Sequence, residues 1–586
     1  MKLSRLFIST GLFIVSTALY FHPVQAQLTV TNLLRYQVIQ RDTMATTASY
    51  TVTGTCRTGT AKILFNLTSQ DSNKVIGTFS WLQIPSVITG TTWSATLSGI
   101  PIGGEYKAQF RALTTADSLL DSSTAVQNLL VGDIWLTSGQ SNMQAASTSN
   151  TDPKHVHVRV MWYGSGTTTS TSSDTSHWGN GSAAGPTMSF ANKLYTLTGV
   201  PIGIIYSAAG GTSLTDWFGA PSRGLFTKTS ICVKNVCNWK IGGFLWYQGE
   251  NEDQQDTWAL GYNRKFSLMR DSIRTLSGNS KLPVLAVQLE SWDGGGTYAL
   301  PFFRWPRWPI IRDQQELVGR ADDHSAAAPI WDCAGLHINS TDQAKLGPRC
   351  AAAAIRLAYS NRSNAGAGPR FKAAWFLDSL RTKVVVQFEH LTGKLINPAD
   401  ASHLGFYVMK PSAFKINDSL IFNYDTIAYG RPAPMLQKIS LVDTLGSDKV
   451  VITLAAATSD SLTVGYGRKI NIISLQPVTD STGIPLLTFF NRPIAKWTSE
   501  TANITSHAAA ACHSSFITMN GTLLKINSLG NKDMAHIRIF GINGKLVKSI
   551  GTLQRTINLR EGLSVGYYLV HAEISGKQLT GKMVVF

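Results

Sequence analysis

The sequence predicts an α/β protein, a parallel sheet with helices on both faces flanked by β-sandwich domains. Three observations predict it. Across residues 131–365, short apolar runs alternate with stretches of helical texture, the order produced when crossover helices join parallel strands. Across 27–130 and 366–492, alternating runs recur without helices and are separated by turn residues, which is a sandwich pattern. At 586 residues the chain is also too long for one core, so several domains are required.

The elements follow in order. Lys2 and Arg5 precede an apolar stretch from Leu6 to Tyr20, and Val24-Gln25-Ala26 supplies small residues at a cleavage site. Residues 1–26 are therefore expected to be a signal peptide, with Gln27 as the mature start. "ASYTVTG", "AKILFNL" and "EYKAQFRA" are strands of the first sandwich. In the central region "GVPIGIIYSAAGG", "IGGFLWYQGE" and "KLPVLAVQLE" are strands, and "SFANKLYTL", "NRKFSLMRDSIRTL" and "IIRDQQELVGR" are helices. The Ser/Thr-rich "TTTSTSSDTS" at 167–176 is expected to be a flexible surface loop. "TKVVVQFEHL", "DKVVITLAAA" and "SLTVGYG" return to strands. Residues 493–514 are a linker, and 515–586 form a small strand unit. Asn543-Gly544 and Ser575-Gly576 are hairpin turns within it.

Composition narrows the function classes. Charged residues are only 15% and hydrophobic residues 43%, which suits a folded, strand-rich secreted protein. The formal charge is +17, but the 52 Lys and Arg residues are scattered. No basic run of nucleic-acid type occurs, so nucleic acid is not an expected partner. No apolar run after the signal peptide reaches spanning length, so stable membrane insertion is not expected. Export permits disulfides. Of the six cysteines, near neighbours favour Cys232 with Cys237 and Cys333 with Cys350. None has zinc-ligand spacing, and no metal or cofactor is expected.

Ligands collect beyond the carboxyl ends of the strands of an open parallel sheet. Three expected strands end there in small or amide residues: "GDIWLTSGQSNMQ", "YSAAGGTSLTDW" and "FLWYQGENE". Acyl transfer needs a nucleophile, a base and donors for an oxyanion. Ser141 is the candidate nucleophile. The backbone N–H groups of Ser141 and of Gly210 or Gly211, with the amide of Gln248 or Asn251, are candidate donors. The alternative reading of these positions is a set of ordinary turns and caps. Among the histidines of this region, His155 and His157 lie in an alternating run, and His177 and His324 lie in polar loops. His337 directly precedes Ser340-Thr341-Asp342-Gln343, a helix-starting pattern that would hold a base in place.

"GDIWLTSGQSNMQ", "GVPIGIIYSAAGGTSLTDW", "FLWYQGENE" and "GLHINSTDQAKLG" follow one another in the order seen in the sialate O-acetylesterase family, and the chain resembles that family over roughly residues 40–492. The resemblance implies an SGNH-type, flavodoxin-like sheet and a secreted carbohydrate O-acetylesterase acting on an acetylated glycan. It implies Ser141 as nucleophile, His337 as base, and Gly210, Gly211 and Gln248 around the oxyanion. Asn142 and Glu250, in the same motifs, are then expected to bind substrate. The last ~70 residues resemble a type IX secretion sorting domain, which implies that secretion machinery as a partner.

The chain departs from the family at the acid. The family places an Asp two or three residues before the histidine, where this chain has Ala334 and Gly335. Asp332 is the nearest upstream acid. Either Asp332 reaches the ring through a rearranged loop, or a Ser-His dyad suffices, or the site is impaired. Two rival functions remain alongside the acetylesterase: a glycan-binding homologue without catalysis, and an esterase of non-sugar esters.

Overall fold

The computed structural model describes residues 27–42, 45–144, 153–162, 178–179, 185–219, 223–292, 307–359, 368–398, 405–410, 414–416, 419–421, 437–467 and 477–496, together with strand segments between 517 and 585. The chain divides into two compact units, Met1–Ala502 and Asn503–Phe586.

The first unit opens with two antiparallel sheets closed around Val52, Phe65, Trp93 and Phe110. One contains Thr47–Thr55, Ser86–Thr89 and Thr92–Pro101. The other contains Lys62–Ser69, Leu82–Ile84, Gly103–Leu113 and Leu119–Ser122. Period-two burial drives the packing. In Gly103–Leu113 the side chains of Tyr106, Ala108, Phe110 and Ala112 are buried and those between them are not.

Strand β1 (Val126–Gly139) belongs to two domains at once. Its first half pairs with Val38–Gln40 and Gly103–Leu113 of the sandwich, and its second half is the centre of a parallel sheet. The boundary expected after residue 130 therefore falls inside one continuous strand. The sheet continues with β2 (Val158–Trp162), β3 (Ile202–Ala208), β4 (Gly243–Tyr247), β5 (Val284–Gln288) and β6 (Ser325–Pro329). Their order is β2-β3-β1-β4-β5-β6, parallel throughout, with Trp178–Gly179 antiparallel on the β2 edge. Every residue of β3, β4, β5 and β6 is buried, which requires cover on both faces.

Helices supply that cover. They are α1 (Ser141–Gln144), α2 (Thr187–Thr198), α3 (Leu214–Trp217), α4 (Leu225–Cys237), α5 (Asp256–Leu276), α6 (Trp308–Gly319) and α7 (Ser340–Ala358). α2 packs against α7, and α5 against α6. The helices expected from sequence are α2, α5 and α6, with α7 at the helix-starting pattern from Ser340. α2 stops where Gly199 turns left-handed at φ +66° and returns its N–H to Tyr195 O.

A second pair of sheets follows. Arg370–Phe376, Lys383–Glu389, Lys449–Leu454 and Ile439–Leu445 form one. Phe406–Met409, Thr463–Tyr466 and Phe489–Pro493 form the other. Their core holds Val384, Val386, Ile452, Val464 and Phe489, and it also takes in Trp331 from the loop after β6. Trp331 Nε1 donates to Leu486 O at 2.7 Å. Gln288, at the end of β5, exchanges two 2.9 Å hydrogen bonds with the Thr488 backbone.

In the second unit Ile517–Asn520, Leu523–Ile526 and Thr556–Asn558 form one sheet. Leu546–Thr552, Ala535–Gly541, Gly566–Ile574 and Lys577–Val585 form another, in that order. Both expected hairpins are antiparallel pairs there. Their turn residues, the signal peptide, the 167–176 loop, His177 and Cys512 lie outside the described residues. Among the described residues no helix is long and apolar enough to cross a membrane.

The expected disulfides are not formed. Cys232, Cys237, Cys333 and Cys350 are all free. Cys232 and Cys237 lie five residues apart on α4, about 7.5 Å along the axis and on different faces, outside disulfide reach. Cys333 instead lies 3.5 Å from Lys345 Nζ, and Cys350 is buried within α7.

Candidate active site

The strand order reverses direction at β1. β3 lies on one side of it and β4 on the other, so the crevice of this sheet opens at the carboxyl end of β1. Register brings three chain segments together there. Gly139 pairs with Ala208 of β3 and with Tyr247 of β4. Only glycine fits at 139: a Cβ would stand 1.9 Å from Tyr247 O, and φ is +149°. The chain then turns into α1, and Ser141 is its first residue, 8% exposed. A Cβ built on Gly210 would lie 3.7 Å from the Ser141 Cβ, so the two segments are in contact.

Asn142 makes the connection to the histidine. Its Nδ2 donates to Leu336 O at 3.0 Å, and its Oδ1 accepts from Ile338 N–H at 3.1 Å. The residue after Ser141 thus holds both neighbours of His337. α7 begins just beyond, capped by Asn339, whose Oδ1 accepts from Asp342 N–H at 3.0 Å. The cap is therefore one residue earlier than the Ser340 pattern predicts. His337 itself is exposed, and partial burial of its ring lowers its pKa from the ordinary imidazole value. No hydrogen bond joins its ring to Ser141 Oγ among the described residues.

Asp332 and Gln248 are engaged elsewhere than the sequence reading expects. Asp332 aims both oxygens at Arg349, at 2.6 and 2.7 Å, and makes no described contact with His337. The β6–α7 loop passes Trp331 into the second sandwich core, which turns Asp332 toward α7 instead. Gln248 is fully buried, and its amide donates to Thr212 O and to Glu252, so it holds the Gly210–Thr212 turn in place. The Gly210 N–H donates to Gln144 Oε1 at 2.7 Å. The N–H groups of Ser141 and Gly211 carry no hydrogen bond among the described residues. Asn142 and Glu250 are 1% and 2% exposed, so they lie behind the surface that a substrate would meet. Asn251 N–H is donated to Gln140 Oε1.

Sequence reasoning missed Glu290 and Tyr247. Glu290, two residues beyond β5, is fully buried and accepts from Tyr247 OH at 2.5 Å. Burial raises the pKa values of both Glu250 and Glu290, and the charge of Glu290 raises that of Glu250 further. The available signal was a charged residue closing the apolar run "KLPVLAVQLE". His155 and His157, the histidines of the alternating run, pack their rings against Tyr195 at 4.4 and 5.1 Å.

Residues 131–356 match the family described as carbohydrate esterase, sialic acid-specific acetylesterase. The chain carries a sialate acetylesterase family domain. Residues 519–586 match the secretion system C-terminal sorting domain, so a sorting domain closes the chain. The chain is 25% identical over 259 residues to sialate O-acetylesterases of Pongo abelii and Homo sapiens. That match takes in 36% of this chain and 45% of each relative, so the chain spans less than half the length of the relatives it matches. A crystal structure of a carbohydrate acetylesterase from Xanthomonas citri superposes at a TM-score of 0.54 with 22% identity, covering 79% of this chain and 99% of that one. The superposed share of the chain is larger than the 131–356 stretch of the family match.

Proposed function

We propose that this protein is a secreted carbohydrate O-acetylesterase that removes acetyl groups from an acetylated glycan by a Ser-His mechanism. Ser141 Oγ attacks the acetyl carbon as His337 takes its proton. The oxyanion accepts from the Ser141 N–H and the Gly211 N–H, the donors that no other group engages. The bond to the sugar oxygen breaks, and His337 returns its proton to that oxygen. Water then attacks the acetyl-enzyme, again giving its proton to His337; acetate leaves and Ser141 recovers its proton.

The observation that carries this reading is the Asn142 clamp on Leu336 and Ile338, because it fastens the histidine segment to the residue beside Ser141. The order β3-β1-β4-β5-β6 supports assigning the sheet to the flavodoxin-like SGNH type. Arg349's hold on Asp332 favours a dyad over a triad. The same observation is the strongest point for the rival reading, a glycan-binding homologue with an impaired site. Export is read from the sorting domain, through type IX machinery, after removal of a signal peptide at 1–26.

The test is acetate release from a panel of acetylated sugars and from simple aryl acetates. Ser141→Ala is expected to abolish release while keeping its near-UV circular dichroism. Wild-type turnover in that variant would remove Ser141 from the mechanism. Preference for aryl over sugar acetates would transfer the protein to the esterases of non-sugar esters.

A further inference from the structure

Behind Asn142 lie two carboxyls that ester hydrolysis by Ser141 and His337 does not use. Glu250 follows β4 and Glu290 follows β5, and they are 2% and 0% exposed. Asn142 Nδ2 stands 2.6 Å from Glu250 Oε1, 3.0 Å from Leu336 O and 3.5 Å from Glu290 Oε1. A primary amide has two N–H donors, so three acceptors face two protons. Asn142 Oδ1 meanwhile holds Ile338 N–H. Glu250 Oε2 is buried without a hydrogen-bond partner among the described residues.

Charged and titratable groups face the pair from several elements. Glu252 acts on Glu250 from the same turn, Tyr247 of β4 faces both acids, and Cys333 in the β6–α7 loop acts on Tyr247. Arg312 of α6 is the cation that acts on Glu290, and its guanidinium also donates to the carbonyl oxygens of Leu289 and Glu290. Two ionised carboxylates sharing one dry site repel each other strongly, so the pair retains a proton.

We propose that Glu250 and Glu290 are positioning residues: a buried, proton-sharing carboxyl pair that controls the His337 loop through Asn142. While the pair holds its proton, Asn142 Nδ2 is divided between Glu250 and Leu336 O, and the loop is clamped. When the proton leaves, the added negative charge competes for the same two N–H donors and draws the amide away from Leu336 O. The loop then loosens as pH rises. This rests on reading His337 as the base, but the clamp itself is measurable without any substrate.

The experiment is hydrogen–deuterium exchange by mass spectrometry on the full chain, following peptides that span 334–340. Protection is compared after correction for intrinsic exchange between about pH 6 and about pH 9, the span that buried carboxyls reach. In the wild type, protection at Ile338 is expected to fall by about tenfold across that range, the effect of losing one hydrogen bond of ordinary strength. Glu290→Gln, which keeps the shape and cannot ionise, is expected to flatten that dependence, and Asn142→Ala to remove the protection at every pH. In parallel, kcat for an acetyl ester should lose its alkaline decline in Glu290→Gln, with KM little changed. Glu250→Gln, checked by near-UV circular dichroism, supplies the same comparison should Glu290→Gln fail to fold. Flat protection in the wild type, or an unaltered slope in both glutamine variants, overturns the proposal. The expected exchange pattern in a protein inactive on every acetyl ester supports the clamp and overturns the esterase reading instead.

Discussion

Asp332 directs both carboxylate oxygens at Arg349, so replacing it acts on the loop's fold before it acts on His337. Hydrogen bonds to a charged group contribute about 1.5–3 kcal/mol. Asp332→Asn is therefore expected to lower the urea midpoint measurably, while kcat per folded molecule falls less than about tenfold. His337→Ala should lose most of the roughly 10²–10⁴-fold that a general base supplies. A hundredfold loss of kcat in Asp332→Asn at unchanged stability would return the carboxylate to the ring. The imidazole also sets a pH prediction. A base must be neutral to accept a proton, and partial burial lowers the pKa of His337. The acid limb of kcat/KM should therefore lie below the unperturbed imidazole value of about 6.5. A pH–rate profile with its acid limb above that value would point to a different base.

Among the elements, the β6–α7 loop decides most. It leaves the sheet at Pro329, sends Trp331 into the second sandwich, and comes back to present His337 beside α7. Trp331 is fully buried and donates to Leu486 O, so the sandwich fixes one end of the segment that carries His337. Trp331→Ala empties a large buried volume and is expected to cost about 3–5 kcal/mol. Its kcat should fall too, because the loop loses an anchor six residues from His337; a thermal melt and steady-state kinetics on the same preparation separate the two losses. Equal activity per folded molecule would show that the sandwich stabilises the site without positioning it. The sandwich is held to the sheet by further contacts, Gln288 with the Thr488 backbone and Arg492 with Asp313 and Glu316.

At the scale of the whole molecule, buried acids shape stability. Burial raises the pKa of Glu252 to about 7, where the fold prefers the neutral carboxyl. With its folded pKa raised, its contribution to stability is fully present below the ordinary carboxylate range and is lost as pH rises through about 7. The complete loss is on the order of 3 kcal/mol. The melting temperature of the wild type should fall over that window, and Glu252→Gln should fall less; parallel curves for the two proteins would assign the pH dependence to other groups. The two-unit division gives a second prediction at this scale. A chain ending at Ala502 should keep the wild-type kcat when made recombinantly, and should remain unsecreted in its native host. Loss of folding on truncation would make the sorting unit part of the structure.

Period-two runs and strand–helix alternation are local properties, so the sheet, its helices and both sandwiches were legible in the sequence, as was the motif order that points to Ser141 and His337. β1 is where this legibility ends: local alternation and apolar runs cannot show that the two halves of one strand pair with different sheets. The cysteine pairings were misread for a related reason, since neighbours in sequence on α4 point to different faces. The contacts that join the site's segments to one another are long-range. Asn142 meets Leu336 and Ile338 across about 195 residues, and Glu250 and Glu290 meet at Asn142 from two other strand ends. Motif spacing singled out Ser141 and His337 as candidates for the chemistry. Which carboxylate each polar side chain would find, Arg349 for Asp332 and Asn142 for Glu250, was decided only when the sheet order brought those strand ends and the β6–α7 loop together, because hydrogen bonds depend on distance in space and not along the chain.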